Sequence, residues 1–241
     1  MGRYAMKFKQ EDNGITRVHF EEVPSTNDYA KQKRGEGRPL IVTAERQSKG
    51  RGTKGRSFVS NQGGVYLSLL RFYQDFPAKE GFKIMANAAT AVCETLRFYG
   101  LNPVIKWAND VFVGNQKICG ILIENTFAGG FVQSSVVGVG LNVNGAFDGE
   151  LAEIATSMQA QTGKAFSVEE VRERLITELL KDRDVKEYLA YVGYMGREAT
   201  LIFGEERVRG KLLFVDEKGG LHVEIAGEEK RLVSAEVSLR L

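Results

Sequence analysis

Glu45-Arg46-Gln47-Ser48-Lys49-Gly50-Arg51-Gly52-Thr53-Lys54-Gly55-Arg56 alternates three glycines with cations between two apolar runs, and the residues on its C-terminal side decide the fold. Gly50 and Gly55 bracket four residues ahead of Arg56-Ser57, a near match to a P-loop. A P-loop needs Lys where Arg56 stands, and a helix directly behind it whose N-terminus faces the phosphates. Here Ser57-Phe58-Val59-Ser60-Asn61-Gln62-Gly63-Gly64 is turn-rich and leads into Val65-Tyr66-Leu67-Ser68-Leu69-Leu70, which reads as a strand. The loop therefore joins two strands, Leu40 to Glu45 and Val65 to Phe72. Its glycines allow close backbone approach, and Arg51, Lys54 and Arg56 supply charge, so it suits an anion. A solvated basic hairpin tip is the plainer reading of the same residues.

Outward from this loop, Arg17 to Phe20 reads as a strand, and Ser25-Thr26-Asn27-Asp28 offers a capping hydroxyl for a helix running to about Lys33. Glu80 to Tyr99 is an apolar-striped helix closed by Gly100. Then come Val104 to Trp107, a hairpin of Asp110 to Val113 and Lys117 to Glu124 around Gly114-Asn115, and a strand from Phe131 to Val143. Helices are expected over Asp148 to Gln161 and, from a Ser167 cap, to about Tyr191. From Met195 onward, short alternating strands separated by Gly-rich and acidic turns predict a small β-barrel of SH3-like size. The expected class is α+β, a mixed, largely antiparallel sheet with helices over residues 1–192 and the barrel over residues 193–241.

At 241 residues the chain can bury one substantial core. Its formal net charge of +2 argues against a dedicated nucleic-acid binder, though a local basic site is compatible with it. There is no bilayer-length apolar run and no signal-peptide pattern at Met1 to Phe8, so the expected compartment is cytoplasm, with no membrane partner. Cys93 and Cys119 have neither disulfide-framework nor zinc spacing and read as core residues.

Lys106-Trp107-Ala108-Asn109-Asp110 puts a cation, an aromatic, an amide and a carboxylate at one strand end. Lys106 suits phosphate, Asn109 a base or ribose, and Asp110 a Mg²⁺ ion; an Asx turn with a core Trp is the alternative, which we favour for Trp107. Strand alternation puts Lys117 and Cys119 on one face, where Lys117 either snorkels to water or meets an anion. Gly138 and Gly140 remove side chains from one strand face so that a flat ligand or another backbone can approach, with Asn142 next on that face.

Jointly these elements resemble the biotin protein ligases, which adenylate biotin and transfer it to a carrier-domain lysine. The resemblance rests on Ser25-Thr26-Asn27, Gln47 with Gly50-Arg51-Gly52 and Gly55-Arg56, Lys106-Trp107 with Asn109-Asp110, Lys117 with Gly120, Gly138 with Gly140-Leu141-Asn142, and Glu236 to Arg240. It spans nearly the whole chain. The family fold is a class II synthetase-like catalytic domain followed by an SH3-like domain, and the early start of the matching residues resembles the short form without a winged-helix repressor domain, so no DNA binding is expected.

The resemblance implies ATP, Mg²⁺ and biotin as the small molecules, with Arg51 and Lys117 as catalytic residues. It places Ser25, Thr26, Asn27, Gln47, Arg51, Gly52, Thr53, Lys117, Gly120 and Gly138 around biotin. Arg56, Lys106, Trp107, Asn109, Asp110 and Asn142 fall on the ATP and adenylate side, Asp110 also in the metal region. The implied partner is the biotin carboxyl carrier domain of a carboxylase, with homodimerisation through an edge strand. Three positions depart from the family pattern: Thr53 and Ala108, where arginine and proline are usual, and Phe58, where tryptophan is. A lipoate or octanoate ligase shares the fold, but Gln47 and Gly50-Arg51-Gly52 suit a ureido ring, which needs polar partners that a dithiolane does not. A nonenzymatic RNA-binding protein fits poorly with the acidic tail, which carries Glu205, Glu206, Asp216 and Glu217.

Overall fold

The computed structural model describes residues 6–233 and 238–240. An eight-stranded sheet has the order β1-β2-β3-β4-β8-β7-β6-β5, comprising β1 (Met6–Asp12), β2 (Ile15–Val23), β3 (Leu40–Gln47), β4 (Gly64–Pro77), β5 (Pro103–Lys106), β6 (Asp110–Val113), β7 (Gln116–Ala128) and β8 (Phe131–Asn142). Every neighbouring pair is antiparallel except β2 with β3. That one parallel pair requires a crossover, which α1 (Thr26–Gln32) supplies.

The two faces of this sheet differ because side chains alternate along each strand. Val65, Leu67 and Leu69 of β4 and Val137, Val139 and Leu141 of β8 join the larger hydrophobic cluster with Ala86, Ala89, Cys93 and Leu96 of α2 (Phe82–Phe98). The small residues of α2 let it lie close to the sheet. The opposite face carries a smaller cluster, with Val18, Phe20, Val42, Leu70 and Val136 packed against Ala30 of α1. Because α1 is only two turns long, it covers this face over Ser68 and Gly138 and leaves it open farther along, toward Gly120 and Lys117.

Two predicted helices prove to be pairs. Residues 148–161 form α3 (Glu150–Ile154) and α4 (Met158–Thr162). Between them the Thr156 N–H donates to the Lys117 carbonyl at 2.9 Å, and Ser157 caps α4 through the Ala160 N–H at 3.1 Å. The Ser167 cap accepts from the Glu170 N–H as expected, but α5 (Val168–Leu179) stops short, and Asp184 with Glu187 forms a capping box that starts α6 (Val185–Tyr191). β1 has no counterpart among the expected strands. It pairs with β2 across Asn13-Gly14, both with positive φ, and its Met6–Asp12 side chains are mostly exposed, so no alternation marks it.

The C-terminal strands β9 (Glu198–Phe203), β10 (Glu206–Val215), β11 (Leu221–Ile225), β12 (Glu228–Leu232) and β13 (Ser238–Arg240) form an antiparallel sheet in the order β12-β11-β10-β9-β13. This agrees with the SH3-like expectation. Glu236 and Val237 of the tail motif lie outside the described residues. No helix among the described residues is long and apolar enough to cross a membrane.

Candidate active site

A cavity of about 790 Å³ lies over the open face. At one end Ser25, Thr26 and Asn27 lie buried at the start of α1, each under 5% exposed. Ser25 caps the helix through the Asp28 N–H at 3.3 Å, so the next two side chains are turned toward the sheet. Gln47 Oε1 accepts from the Thr26 backbone N–H at 2.8 Å and from its hydroxyl at 3.0 Å, while Gln47 Nε2 donates to Ser60 at 2.9 Å. The fully buried Ser68 hydroxyl lies 2.8 Å from Thr26 Oγ1 and 2.5 Å from Asn27 Oδ1. Gly138 makes room for this array, because a Cβ there would come within 2.1 Å of Asn27 Oδ1.

Gly140 does the same for Phe58, whose ring would lie 2.5 Å from a Cβ at position 140 and 3.1 Å from one at Gly120. The two strand glycines thus admit side chains of this protein, not only a ligand. Phe58 also faces the Lys117 ammonium, 5.9 Å from the ring centroid. A register shift between β6 and β7 puts Val111 opposite Cys119 but Phe112 opposite Lys117. That bulge overturns the expected sharing of one face by Lys117 and Cys119. Lys117 Nζ reaches the open face beside Gly120, whereas the Cys119 side chain is fully buried in the large cluster.

Lys117 Nζ pairs with Asp110 Oδ1 at 2.7 Å, which also accepts from Asn109 Nδ2 at 3.2 Å. Asn109 in turn donates to the Ile121 carbonyl at 3.0 Å. Lys106 lies over the Phe112 ring at 5.2 Å, and Asn115, Ile154, Tyr194, Arg197 and Ile202 complete this end of the cavity. Arg51, Arg56, Lys106, Lys117 and Arg197 line it against one carboxylate, Asp110, among the described lining residues. Such a surface attracts anions.

In the glycine loop, Gly52 N–H donates to the Arg56 carbonyl at 2.7 Å, and Arg56 returns its guanidinium to the Thr53 carbonyl and hydroxyl at 3.2 and 2.9 Å. Arg51 reaches the rim, 2.6 Å from Asp28 and 3.2 Å from Glu124. Glu124 also accepts from Asn27 at 3.0 Å and from Lys31 at 2.9 Å. Burial alone would raise the pKa of Asp28 and of Glu124. Hydrogen bonds and charges from Lys31 outweigh it, with Arg51 and, for Glu124, Asn27 assisting, so both are held below the usual carboxylate range. Burial of the Arg51 guanidinium is likewise outweighed by Glu124 and Asp28, which raise its pKa.

The predicted Ser25, Thr26, Asn27, Gln47, Arg51, Gly52, Thr53, Arg56, Lys106, Asn109, Asp110, Lys117, Gly120 and Gly138 all line this cavity. Trp107 and Asn142 do not. Trp107 is buried in the large cluster at 6% exposure, and Asn142 donates to the Thr156 carbonyl at 2.9 Å. Ser68 and Glu124 join the site without having been singled out by sequence. The signal available for both is a lone polar residue on an apolar strand, Ser68 within Val65 to Leu70 and Glu124 at the end of Ile118 to Ile123.

Residues 19–142, covering both ends of the cavity, match the model of the biotin/lipoate A/B protein ligase family. The chain belongs to that family. It is similar to the bifunctional ligase/repressor BirA of Escherichia coli, 31% identical over 96% of this chain and 76% of that protein. A biotin–[acetyl-CoA-carboxylase] ligase of Paracoccus denitrificans is 34% identical over 54% of this chain and 56% of its own length. The biotin protein ligase of Aquifex aeolicus in complex with biotin and ATP superposes with a TM-score of 0.74 at 30% identity, covering 93% of this chain and 98% of that one. The family and these structures agree with the expected catalytic fold and its small β-rich C-terminal sheet.

Proposed function

We propose that this protein is an ATP-dependent biotin protein ligase, which forms biotinyl-5′-AMP and transfers biotin to a lysine of a biotin carboxyl carrier domain. The observation that carries this reading is the buried Thr26–Gln47–Ser68–Asn27 array opening into the same cavity as Lys117 and Arg51. Ser25, Thr26, Asn27 and Gln47 surround the polar head of biotin, with Gly138 making room for Asn27 and Gly120 for Lys117 and Phe58 beside it. A site built on buried polar groups discriminates against acids that lack matching atoms, such as lipoate and octanoate.

In the first half-reaction a biotin carboxylate oxygen attacks the α-phosphorus of ATP and pyrophosphate leaves. Both reactants are anions, so fixed cations lower the barrier by neutralising and aligning them. Lys117, oriented by Asp110, takes the shared carboxylate–phosphate position. Arg51 takes the carboxylate by leaving Asp28 and Glu124, while Arg56, Lys106 and Asn109 fall on the nucleotide side. In the second half-reaction a neutral lysine amine attacks the acyl carbon, the bond to AMP breaks with its electron pair, and the amine loses a proton. No enzyme nucleophile is required, and burial pushes both the Cys93 and Cys119 thiols up, away from reactive thiolates.

Mg²⁺ supplied with ATP would add charge neutralisation, held mainly by phosphate oxygens and water. Asp110 is the carboxylate nearest that role, and no group of three or more metal-ligating side chains occurs among the described residues. The edge of β1, unpaired among the described residues, is the surface we assign to homodimerisation.

The test is ATP–pyrophosphate exchange with purified protein, Mg²⁺ and biotin, lipoate, octanoate or no acid. Exchange only with biotin, abolished by Lys117→Ala, is the expected result. Exchange supported by lipoate or octanoate instead would move the protein to the sister class within its family.

A further inference from the structure

The turn between β10 and β11, residues 216–220, lies outside the cavity yet grips the segment that feeds it. Asp216 builds the turn. Its Oδ1 accepts from the N–H groups of Lys218 at 2.8 Å and Gly220 at 2.9 Å, and its Oδ2 accepts from Arg231 Nε at 2.6 Å and lies 3.2 Å from His222 Nε2. The turn so held presents the Gly219 carbonyl to Trp107, whose Nε1–H donates to it at 3.0 Å. Gly219 has φ +79°, and a Cβ on it would come within 2.2 Å of the Phe82 ring. Only glycine fits there, on both conformation and contact. Phe82 meets Tyr188 edge-on at 5.1 Å between centroids, and the Tyr188 hydroxyl donates to the Ala108 carbonyl at 3.1 Å. Trp107 and Ala108 are thereby fixed at two points, one on the indole and one on the backbone. The next residues are Asn109 and Asp110, which hold β7 and Lys117, and the preceding one is Lys106.

We propose that this turn of the small C-terminal sheet is a positioning element for the ligase reaction, with Asp216 its positioning residue. It acts through Trp107 to fix the Lys106–Asp110 segment at the nucleotide end of the cavity. The inference rests on the reading of that end under Proposed function. Asp216, Gly219 and Trp107 touch no substrate; they set the placement of groups that do, and displacement of about 1 Å at such groups costs rate or affinity steeply. The polar head of biotin is assigned to α1, β3 and β4, which the turn does not hold, so biotin affinity rests on the turn less than nucleotide affinity does, through the Asp110–Lys117 pair alone.

Trp107 is the chain's sole tryptophan, so its emission reports the contact directly. The experiment compares Asp216→Ala and Asp216→Asn with the parent protein below their unfolding transitions. It reads Trp107 emission, calorimetric affinity for a non-hydrolysable ATP analogue and, separately, for biotin, and the two KM values in pyrophosphate exchange. Asparagine keeps an oxygen for the Lys218 and Gly220 N–H groups but loses the charge that holds Arg231. The expected result is a red shift of emission in Asp216→Ala with nucleotide affinity about tenfold weaker and biotin affinity within about twofold of the parent. Asp216→Asn is expected to lie between. Unshifted emission, a shift with unchanged nucleotide affinity, or equal losses of nucleotide and biotin affinity would each overturn the proposal. A parent protein that binds the analogue but shows no biotin-dependent exchange would refute the ligase reading and leave the calorimetry to decide this one.

Discussion

Gly138 and Asn27 occupy one another's space, and that single steric fact sets the shape of the end of the cavity proposed for biotin. Gly138→Ala would push the Asn27 amide away from Ser68 and Glu124, since the new methyl would fall 2.1 Å from its oxygen. Overpacking of this kind costs about 1–3 kcal/mol. The expected outcome is a KM for biotin raised about tenfold with the KM for ATP little changed, and an unaltered biotin KM would show that Asn27 does not shape the site. Thr53 is the second residue with a sharp consequence. It engages the Arg56 guanidinium within the loop, so an arginine in its place would release Arg56 and, on the proposed function, add a cation beside the adenylate. Thr53→Arg should lengthen the half-life of bound biotinyl-AMP, measured by chasing with unlabelled substrate; an unchanged half-life would mean that Thr53 does not limit retention. Much of this site is legible from residue types, because Gln47, Arg51 and Lys117 are polar or charged letters close to glycines. Ser68 and Glu124 are not, since their partners lie 41 and 97 positions away in sequence and no local pattern brings them together.

Elements follow the same rule of local against distant causes. The hairpin around Gly114-Asn115, the Ser25 and Ser167 caps and the end of α2 at Gly100 have their determinants within a few residues, and sequence suffices to locate them. The break after α5 has a local signal, Asp184 with Glu187, masked by the apolar periodicity running through it. Asp184→Ala should cost about 1 kcal/mol, the usual value of an N-cap, and lower Tm by roughly 2–4 °C for a chain of this size. An unchanged thermal melt would show that tertiary packing alone holds α6. In the small sheet, His222 lies between Glu229 Oε1 at 2.7 Å and Asp216 Oδ2 at 3.2 Å, stacked on Phe214 at 4.2 Å, with Arg231 also on Asp216. The Glu229 hydrogen bond, opposed by desolvation and aided by Asp216, raises its pKa above 6.5. A raised histidine pKa stabilises fully below the unfolded value of 6.5 and loses that contribution as pH rises through the folded value. Tm should therefore fall from about pH 6 to pH 8 in the parent protein by more than in His222→Gln. Parallel pH profiles would remove the imidazole from the account.

At the scale of the whole molecule, the expected boundary near residue 193 is one of topology more than of packing. Leu201, Leu212, Leu221 and Val223 of the small sheet belong to the same buried cluster as Ile105, Trp107 and Val111 of the large one. Sequence periodicity reveals a change of strand pattern at such a boundary but carries no record of which apolar faces meet across it. Hydrogen bonds also tie the halves together: the Gly193 N–H donates to the Ile105 carbonyl at 3.0 Å, the Tyr194 hydroxyl to the Gly114 carbonyl at 3.2 Å, and Trp107 to Gly219. Independent units need cores of their own, and a sheet of five short strands that shares its apolar face has little to lose by unfolding with its neighbour. Heating should accordingly give one cooperative transition, with Trp107 emission and far-UV circular dichroism superimposing when normalised. Because Trp107 sits at the junction, it would be the first group to change if the small sheet separated early. An emission change several degrees below the dichroic one would identify the C-terminal sheet as an autonomous unit that opens before the catalytic sheet melts.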